Sequence, residues 1–327
     1  MFIHRRRGWE IPERSVTPEA AFLGRRAALA GGALVSAALA VRPARAWSLF
    51  GGSKDSSAPA APQTPLPAPR NDRYAPGRAL TAEQDATTYN NFYEFGESKS
   101  VWEAARSLRV EPWTIRIDGM VKTPRTLGYD DLLKQVTLEE RIYRHRCVEA
   151  WAMTVPWVGF PLASLVKLAE PLGSATYLKF TTLADAATMP GLHAVWYPWP
   201  YTEGLTMQEA MNELAFVSVG LYGKTLPPQN GAPIRLTLPW KYGFKSAKSI
   251  VRIEFTDQRP VSFWQRLQDT EYGFWANVNP AVPHPRWSQA AERLLGTGEM
   301  VPTRIWNGYG EVVAAMYADK QSERLFT

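Results

Sequence analysis

Cys147 is the one cysteine in a chain of 327 residues, so no disulfide can close within it. The fold must therefore be held by burial of apolar surface. Material for that is ample, because 45% of the residues are hydrophobic and 12% aromatic, which excludes a wholly disordered chain. No internal repeat recurs at a fixed period. A body of about 250 residues fits one large domain or two closely packed ones.

Trp113, Ile115 and Ile117 alternate with Thr114, Arg116 and Asp118, which predicts a strand ending at the Asp118-Gly119 turn. Further strands are expected over 141–146, 176–182, 215–222, 233–238 and 249–256. Helices are expected at 129–133, at 161–168 behind Pro161, at 206–214, and at 287–295 with Gly296 as the stop. Thr81-Ala82-Glu83-Gln84 reads as a capping box opening one more. Strands dominate and do not alternate regularly with helices, which disfavours a doubly wound parallel sheet. The expected class is α+β, with mixed sheets, short helices and long loops.

The charge is unevenly placed. Residues 1–46 hold eight arginines against three glutamates, so +5 of the total +6 sits there. A body at +1 lacks the basic footprint that nucleic-acid binding needs. Arg25-Arg26, a mildly apolar run from Ala27 to Val41 and Ala44-Arg45-Ala46 have the order of an export signal. The run is too short and too rich in Ala and Gly to span a membrane. Paired arginines before a weakly apolar run point to twin-arginine export to the periplasm, an ordinary secretory signal being the alternative. Residues 47–80 are rich in proline and alanine and read as a linker. The folded body is expected over 81–327.

In an exported protein a lone thiol calls for a reason. It can be a buried small hydrophobe, but Arg144, His145 and Arg146 precede Cys147, and cationic neighbours favour the reactive thiolate. No second cysteine is present for disulfide exchange. Cys147 with His145, His193 and His284 shows no zinc-ligand spacing. A Cys–His hydrolase using His193 or His284 stays open. So does a metal with one protein ligand, the others coming from an organic cofactor. Alternation would put Tyr143 and His145 on the face of Cys147, with Arg144 and Arg146 opposite. Three further segments could hold such a cofactor: Thr88–Gly96 (TYNNFYEFG), Pro227–Arg235 (PPQNGAPIR) and Trp240–Lys248 (WKYGFKSAK). The last sets three lysines among aromatics in a glycine-interrupted loop able to hold phosphate. A non-catalytic binding module with aromatic side chains gripping sugar or peptide is a further alternative.

The segments NNFYEFG, RCVEAW, VPWVGFPL, PPQNGAP, PWKYGFKS and NPAVPHPRWSQA, in this order, resemble the sulfite-oxidase-type molybdopterin enzymes, most closely the branch that reduces methionine sulfoxide. The resemblance implies a sulfite-oxidase-like fold and a Mo-molybdopterin cofactor without appended nucleotide. Molybdenum would be held by the cofactor's dithiolene and by Cys147. Asn90, Tyr93, Glu94, Asn230, Arg235, Ser246, Ala247 and Lys248 would contact the cofactor, Ala247 through main chain only. So would a threonine ending the strand after the helix that bears the cysteine, Thr182 or its neighbour Thr181. The implied activity is reduction of methionine sulfoxide, free or in proteins, repairing oxidised periplasmic proteins. A haem-bearing membrane partner would supply electrons. Another enzyme of this family acting on small S- or N-oxides is the alternative.

Overall fold

The computed structural model describes residues 63–327; the expected signal, 1–46, and the linker as far as residue 62 lie outside the described residues. Trp151–Pro161 (WAMTVPWVGFP) is buried at every position before its last, and the larger sheet is built on it. Among the described residues the strands are β1 (Thr114–Gly119), β2 (Arg125–Gly128), β3 (Glu139–Arg146), β4 (Trp151–Pro161), β5 (Tyr177–Thr182), β6 (Thr202–Thr206), β7 (Phe216–Leu221), β8 (Lys224–Thr225), β9 (Arg235–Thr237), β10 (Ile250–Thr256), β11 (Ala291–Leu294) and β12 (Met300–Pro302). They form a five-stranded sheet, β2-β1-β10-β5-β6, and a seven-stranded one, β12-β11-β4-β7-β8, with β3 on β4 and β9 on β7. β1–β10 and β4–β11 are parallel pairs within otherwise antiparallel sheets. Among the described residues helices are few and short, the longest being Leu162–Ala169. This is the mixed α+β architecture expected.

Most of the expected strands and the helices at Tyr129–Leu133 and Leu162–Ala169 form within a residue or two of their expected bounds. Three expectations fail for physical reasons. The helix expected at 287–295 is irregular chain followed by β11, because Ala291–Leu294 pairs with both β4 and β12 and tertiary pairing outweighs helix propensity. Thr81 does not cap: its Oγ1 accepts from the Thr154 amide at 3.0 Å, and the helix Glu83–Thr88 starts at Ala82 without a side-chain cap. The helix expected at 206–214 stops at Ala210, although its Thr206/Glu209 capping box is complete. β4 escapes a period-2 reading because both of its faces are buried, so apolar residues do not alternate along it.

The expected linker meets the body from residue 63 onward. Leu66 and Asn71 donate to Gly223 O and Glu140 O, and Tyr74 is buried against Tyr143. Arg78 reaches the buried Glu292 at 2.6 Å. No helix among the described residues is long and apolar enough to cross a membrane.

Gly159 sits where the β4–β7 register shifts, and a Cβ there would lie 2.0 Å from Val217 O. Gly159→Ala is therefore expected to lose about 3 kcal/mol by overpacking, read as a lowered urea midpoint. Gly173→Ala, with nothing within 4 Å of the added methyl, is expected to change stability by less than about 0.5 kcal/mol.

Candidate active site

β3 and β4 form a hairpin whose connection, Cys147–Ala150, is a tight turn rather than a helix: the Cys147 amide donates to Trp151 O and the Ala150 amide to Cys147 O. Cys147 points from this turn into a cavity of about 860 Å3 including its open mouth. Other chain segments close on it from both sheets. Asn90–Glu94 supplies one wall, the end of β5 supplies Thr182, and the turn before β9 supplies Asn230. Arg235 and Ser246–Lys248 complete the inner end. Cys147 and every residue that the resemblance assigns to cofactor contact line one cavity, and of the two threonines it is Thr182 that does so.

The three lysines of the Trp240–Lys248 segment separate cleanly. Lys241 is paired with Glu209 at 2.5 Å and Lys245 with Glu203 at 2.6 Å, both deep in the protein. Lys248 reaches only carbonyl oxygens, Asn91 O at 2.9 Å and Gln229 O at 2.7 Å. Arg235, 2% exposed, likewise donates to carbonyls, Asn230 O at 2.9 Å and Leu236 O at 3.0 Å. Burial holds the Lys248 ammonium well below its ordinary pKa, with Arg235 adding to the effect, and pulls Arg235 down to about 9. Two neighbouring cations without an ion-pair partner invite an anion. Gly231 makes room for one of them, since a Cβ there would meet the Lys248 side chain at 2.8 Å.

Acceptors stand nearby. Asn90 and Asn230 both donate through Nδ2 to Ala86 O, at 3.2 and 3.1 Å, which leaves each Oδ1 without a partner. Thr182 Oγ1 is also buried and unpartnered. Orphaned oxygens beside unpaired cations suit a ligand that carries both N–H donors and an anionic group. Ala247 offers only its methyl and main chain, and its amide already donates to Lys245 O. Glu94, 3% exposed, is raised to about 7 by burial, against which the Lys248 charge works.

Cys147 Sγ lies 3.5 Å from Asn91 Nδ2, 3.5 Å from the Glu149 amide and 3.8 Å from Glu149 Oε2. Burial, then the Glu149 charge, pushes the thiol up to about 12. This corrects the expectation that neighbouring cations favour the thiolate. Arg146 turns to Glu292 at 3.0 Å, to Gln289 Oε1 at 2.8 Å and to the carbonyl of Cys147, not its sulfur. Arg144 donates to Pro76 O at 2.6 Å and Asn307 O at 3.4 Å. His145 does line the cavity, as alternation required, but burial and the charges of Arg235 and Lys248 take it down to about 3. Tyr143, expected on the same face, is fully buried and outside the lining. A thiol so placed ionises when a soft metal binds it.

Neither His193 nor His284 joins Cys147 in the cavity. His193 is exposed, and His284 stacks on Trp287 at 3.8 Å with Glu271 3.3 Å away. Among the described residues no three His, Cys, Asp or Glu side chains cluster as a metal site, so a metal at Cys147 draws its other ligands from elsewhere. Sequence reasoning passed over Asn91, Glu149, Tyr201, Phe244, Trp264 and Tyr272, all of which line the cavity. Asn91, Glu149 and Phe244 lie inside motifs already singled out; Tyr201, Trp264 and Tyr272 carry no local signal.

Residues 103–264 match the family described as the oxidoreductase molybdopterin binding domain. A site with one soft sulfur donor, unpaired cations and orphaned acceptors suits that class, and the chain is a molybdopterin-dependent oxidoreductase. It is 47% identical to the protein-methionine-sulfoxide reductase catalytic subunit MsrP of Burkholderia mallei over 98% of this chain and 96% of that one. The counterparts of Ralstonia nicotianae, 48% identical over 98% and 97%, and Pseudomonas syringae pv. tomato, 48% over 94% of each, agree. The chain belongs to the family of protein-methionine-sulfoxide reductase catalytic subunits. Among solved structures, the sulfane dehydrogenase SoxCD of Paracoccus pantotrophus has a TM-score of 0.45 and 17% identity, over 66% of this chain and 58% of that one.

The sorting of the lysines has a measurable consequence. Lys245→Met strands the buried Glu203 and is expected to cost about 3–5 kcal/mol. Lys248→Met removes a buried charge without a counter-ion and is expected to preserve or raise the melting temperature of cofactor-free protein. Thermal unfolding of both variants checks the contrast.

Proposed function

We propose that this chain reduces methionine sulfoxide in oxidised proteins outside the cytoplasm, with molybdenum bound to the Cys147 thiolate and to the dithiolene of a molybdopterin. The observation carrying this reading is the convergence, around one buried thiol, of two cations without counter-ions and three buried oxygens without partners. Family membership supplies the reaction: the relatives are named for reduction of methionine sulfoxide in proteins.

Two-electron oxygen-atom transfer, which turns a sulfoxide into a thioether, is the chemistry a bound molybdenum cofactor supplies. Cys147 contributes the soft sulfur that such a metal prefers. Lys248 and Arg235 hold the terminal phosphate. Asn90 Oδ1, Asn230 Oδ1 and Thr182 Oγ1 accept from pterin N–H groups, and Tyr93, Glu94, Ser246 and Ala247 complete the wall. The nucleotide-free form is favoured because Arg235 and Lys248 are the only Arg or Lys side chains in the lining. They suffice for one phosphate and leave a diphosphate and base without partners. Tyr93, Trp264 and Tyr272 line the same cavity and limit water around a bound substrate.

Electrons have to arrive from outside. The sequence has no haem-attachment or nucleotide-binding motif, and one cysteine cannot relay them. The relatives are catalytic subunits by name, and a haem-bearing membrane partner is the donor this reading calls for. Periplasmic residence rests on the arginine pair and apolar run of residues 25–46.

Purified protein is expected to contain one molybdenum and nucleotide-free pterin, and to restore methionine in an oxidised protein when given a small artificial donor. Full molybdenum loading without restored methionine sinks the repair function, and oxidation of sulfite instead supports an oxidase. Cys147→Ser is expected to abolish turnover while retaining part of the pterin, because the phosphate and ring contacts are separate from the sulfur bond.

Replacing Arg25 and Arg26 together by lysine is expected to leave the loaded enzyme in the cytoplasm. Fractionation with molybdenum analysis reads this out, and normal export of the double variant refutes the twin-arginine route.

A further inference from the structure

Aromatic side chains run out of the cavity onto the surface. Tyr93, in the lining, meets Trp264 at 4.9 Å and Tyr197 at 5.7 Å between ring centroids. Tyr197 in turn contacts Trp199 at 5.4 Å and Trp196 at 6.1 Å, and Trp199 packs on Phe263 at 5.0 Å. The series ends in solvent: Val195 is 85% and Trp196 70% exposed. Among the described residues Trp196 is the one aromatic side chain among the exposed large hydrophobic groups, the others being aliphatic. Exposed aromatic surface continuous with a reactive cavity calls for an occupant.

The ledge is fixed to the cavity wall. The Gly191 amide donates to Glu94 O at 2.8 Å, and a Cβ at Gly191 would come within 2.0 Å of Tyr93 O, so this loop lies directly on the segment that lines the cavity. Tyr197 donates through its hydroxyl to Glu97 at 2.7 Å, and the Trp199 indole to Ala194 O at 3.1 Å. Rings already held in place lose little freedom when a ligand settles on them. Tyr197 spends its hydroxyl on Glu97 and Trp199 its indole N–H within the loop, leaving apolar ring faces beside the Glu97 carboxylate.

We propose that Val195, Trp196 and Trp199 seat the apolar side chains flanking a methionine sulfoxide in an unfolded polypeptide. This rests on the sulfoxide-reductase reading above and adds to it a subsite outside the cavity. A folded protein rarely presents apolar flanks together with an extended chain, so the ledge selects unfolded, oxidised segments. Glu97 at its edge disfavours acidic flanks.

The test compares wild type, Trp196→Ala and Trp196→Phe as molybdenum-loaded enzymes with a small artificial donor. Three substrates are used: free methionine sulfoxide, a peptide with the sulfoxide between leucines, and one with it between glutamates. For Trp196→Ala, KM for the leucine-flanked peptide is expected to rise roughly tenfold. Kinetics on the free amino acid should hold steady, and Trp196→Phe should recover most of the loss. Unchanged KM on every substrate overturns the ledge, as does an equal rise for the free amino acid. A defect confined to electron delivery by membranes carrying the donor also overturns it, assigning the surface to the donor. A wild type that reduces none of the three substrates sinks the reductase reading and the ledge with it. One that reduces all three, with Trp196→Ala alike, sinks the ledge alone.

Discussion

The contact between Arg146 and Glu292 holds the cysteine turn to the rest of the molecule. Both side chains are almost fully excluded from solvent, where an ion pair is stable only if its remaining hydrogen-bond sites are filled. Arg146 places its other nitrogens on Gln289 Oε1 and the Cys147 carbonyl, and Arg78 meets Glu292 at Oε1, while the facing Nε and Oε2 make a charge contact at 3.0 Å without hydrogen-bond geometry. A strand end, the cysteine turn, β11 and the segment before residue 80 are thereby tied at one point. This explains why a run that looks like linker is laid against the body, and why Ala291–Leu294 is drawn into a sheet.

Among the described residues some buried cations meet acids and others do not, Arg144 being held by carbonyl oxygens alone. Lys241, Lys245 and Arg146 have carboxylates; Lys248 and Arg235 have only carbonyl oxygens. Folding that encloses these two without counter-ions forgoes stability. The deficit sits beside three oxygens that have also lost water without gaining a partner. On the proposed reading, a ligand carrying both a phosphate and N–H donors repairs both, and the loss to the empty fold returns as affinity for it.

The sheets were legible where one face of a strand is buried and the other wet, as in β1 and β5. β4 was not, because a strand buried on both faces has no alternation to read. β11 was misread because its pairing partner lies far away in sequence and its helix-like composition is local. In the site, short motifs located Asn90, Asn230 and Lys248. They could not reveal that the cations beside Cys147 face away from its sulfur, because the path of a long side chain is decided by distant acids such as Glu292. Nor could they find Trp264 and Tyr272, which only the folded chain brings to the mouth.

The cavity wall begins at Asn90 and ends at Tyr272, with contributions from both sheets. No fragment of this chain holds more than part of it, and contacts so distant in sequence form late in folding. Occupancy of the site is accordingly a certificate of completion: a molecule that has taken up its cofactor has both sheets formed and docked. For the cell, that coupling turns loading into a check on folding.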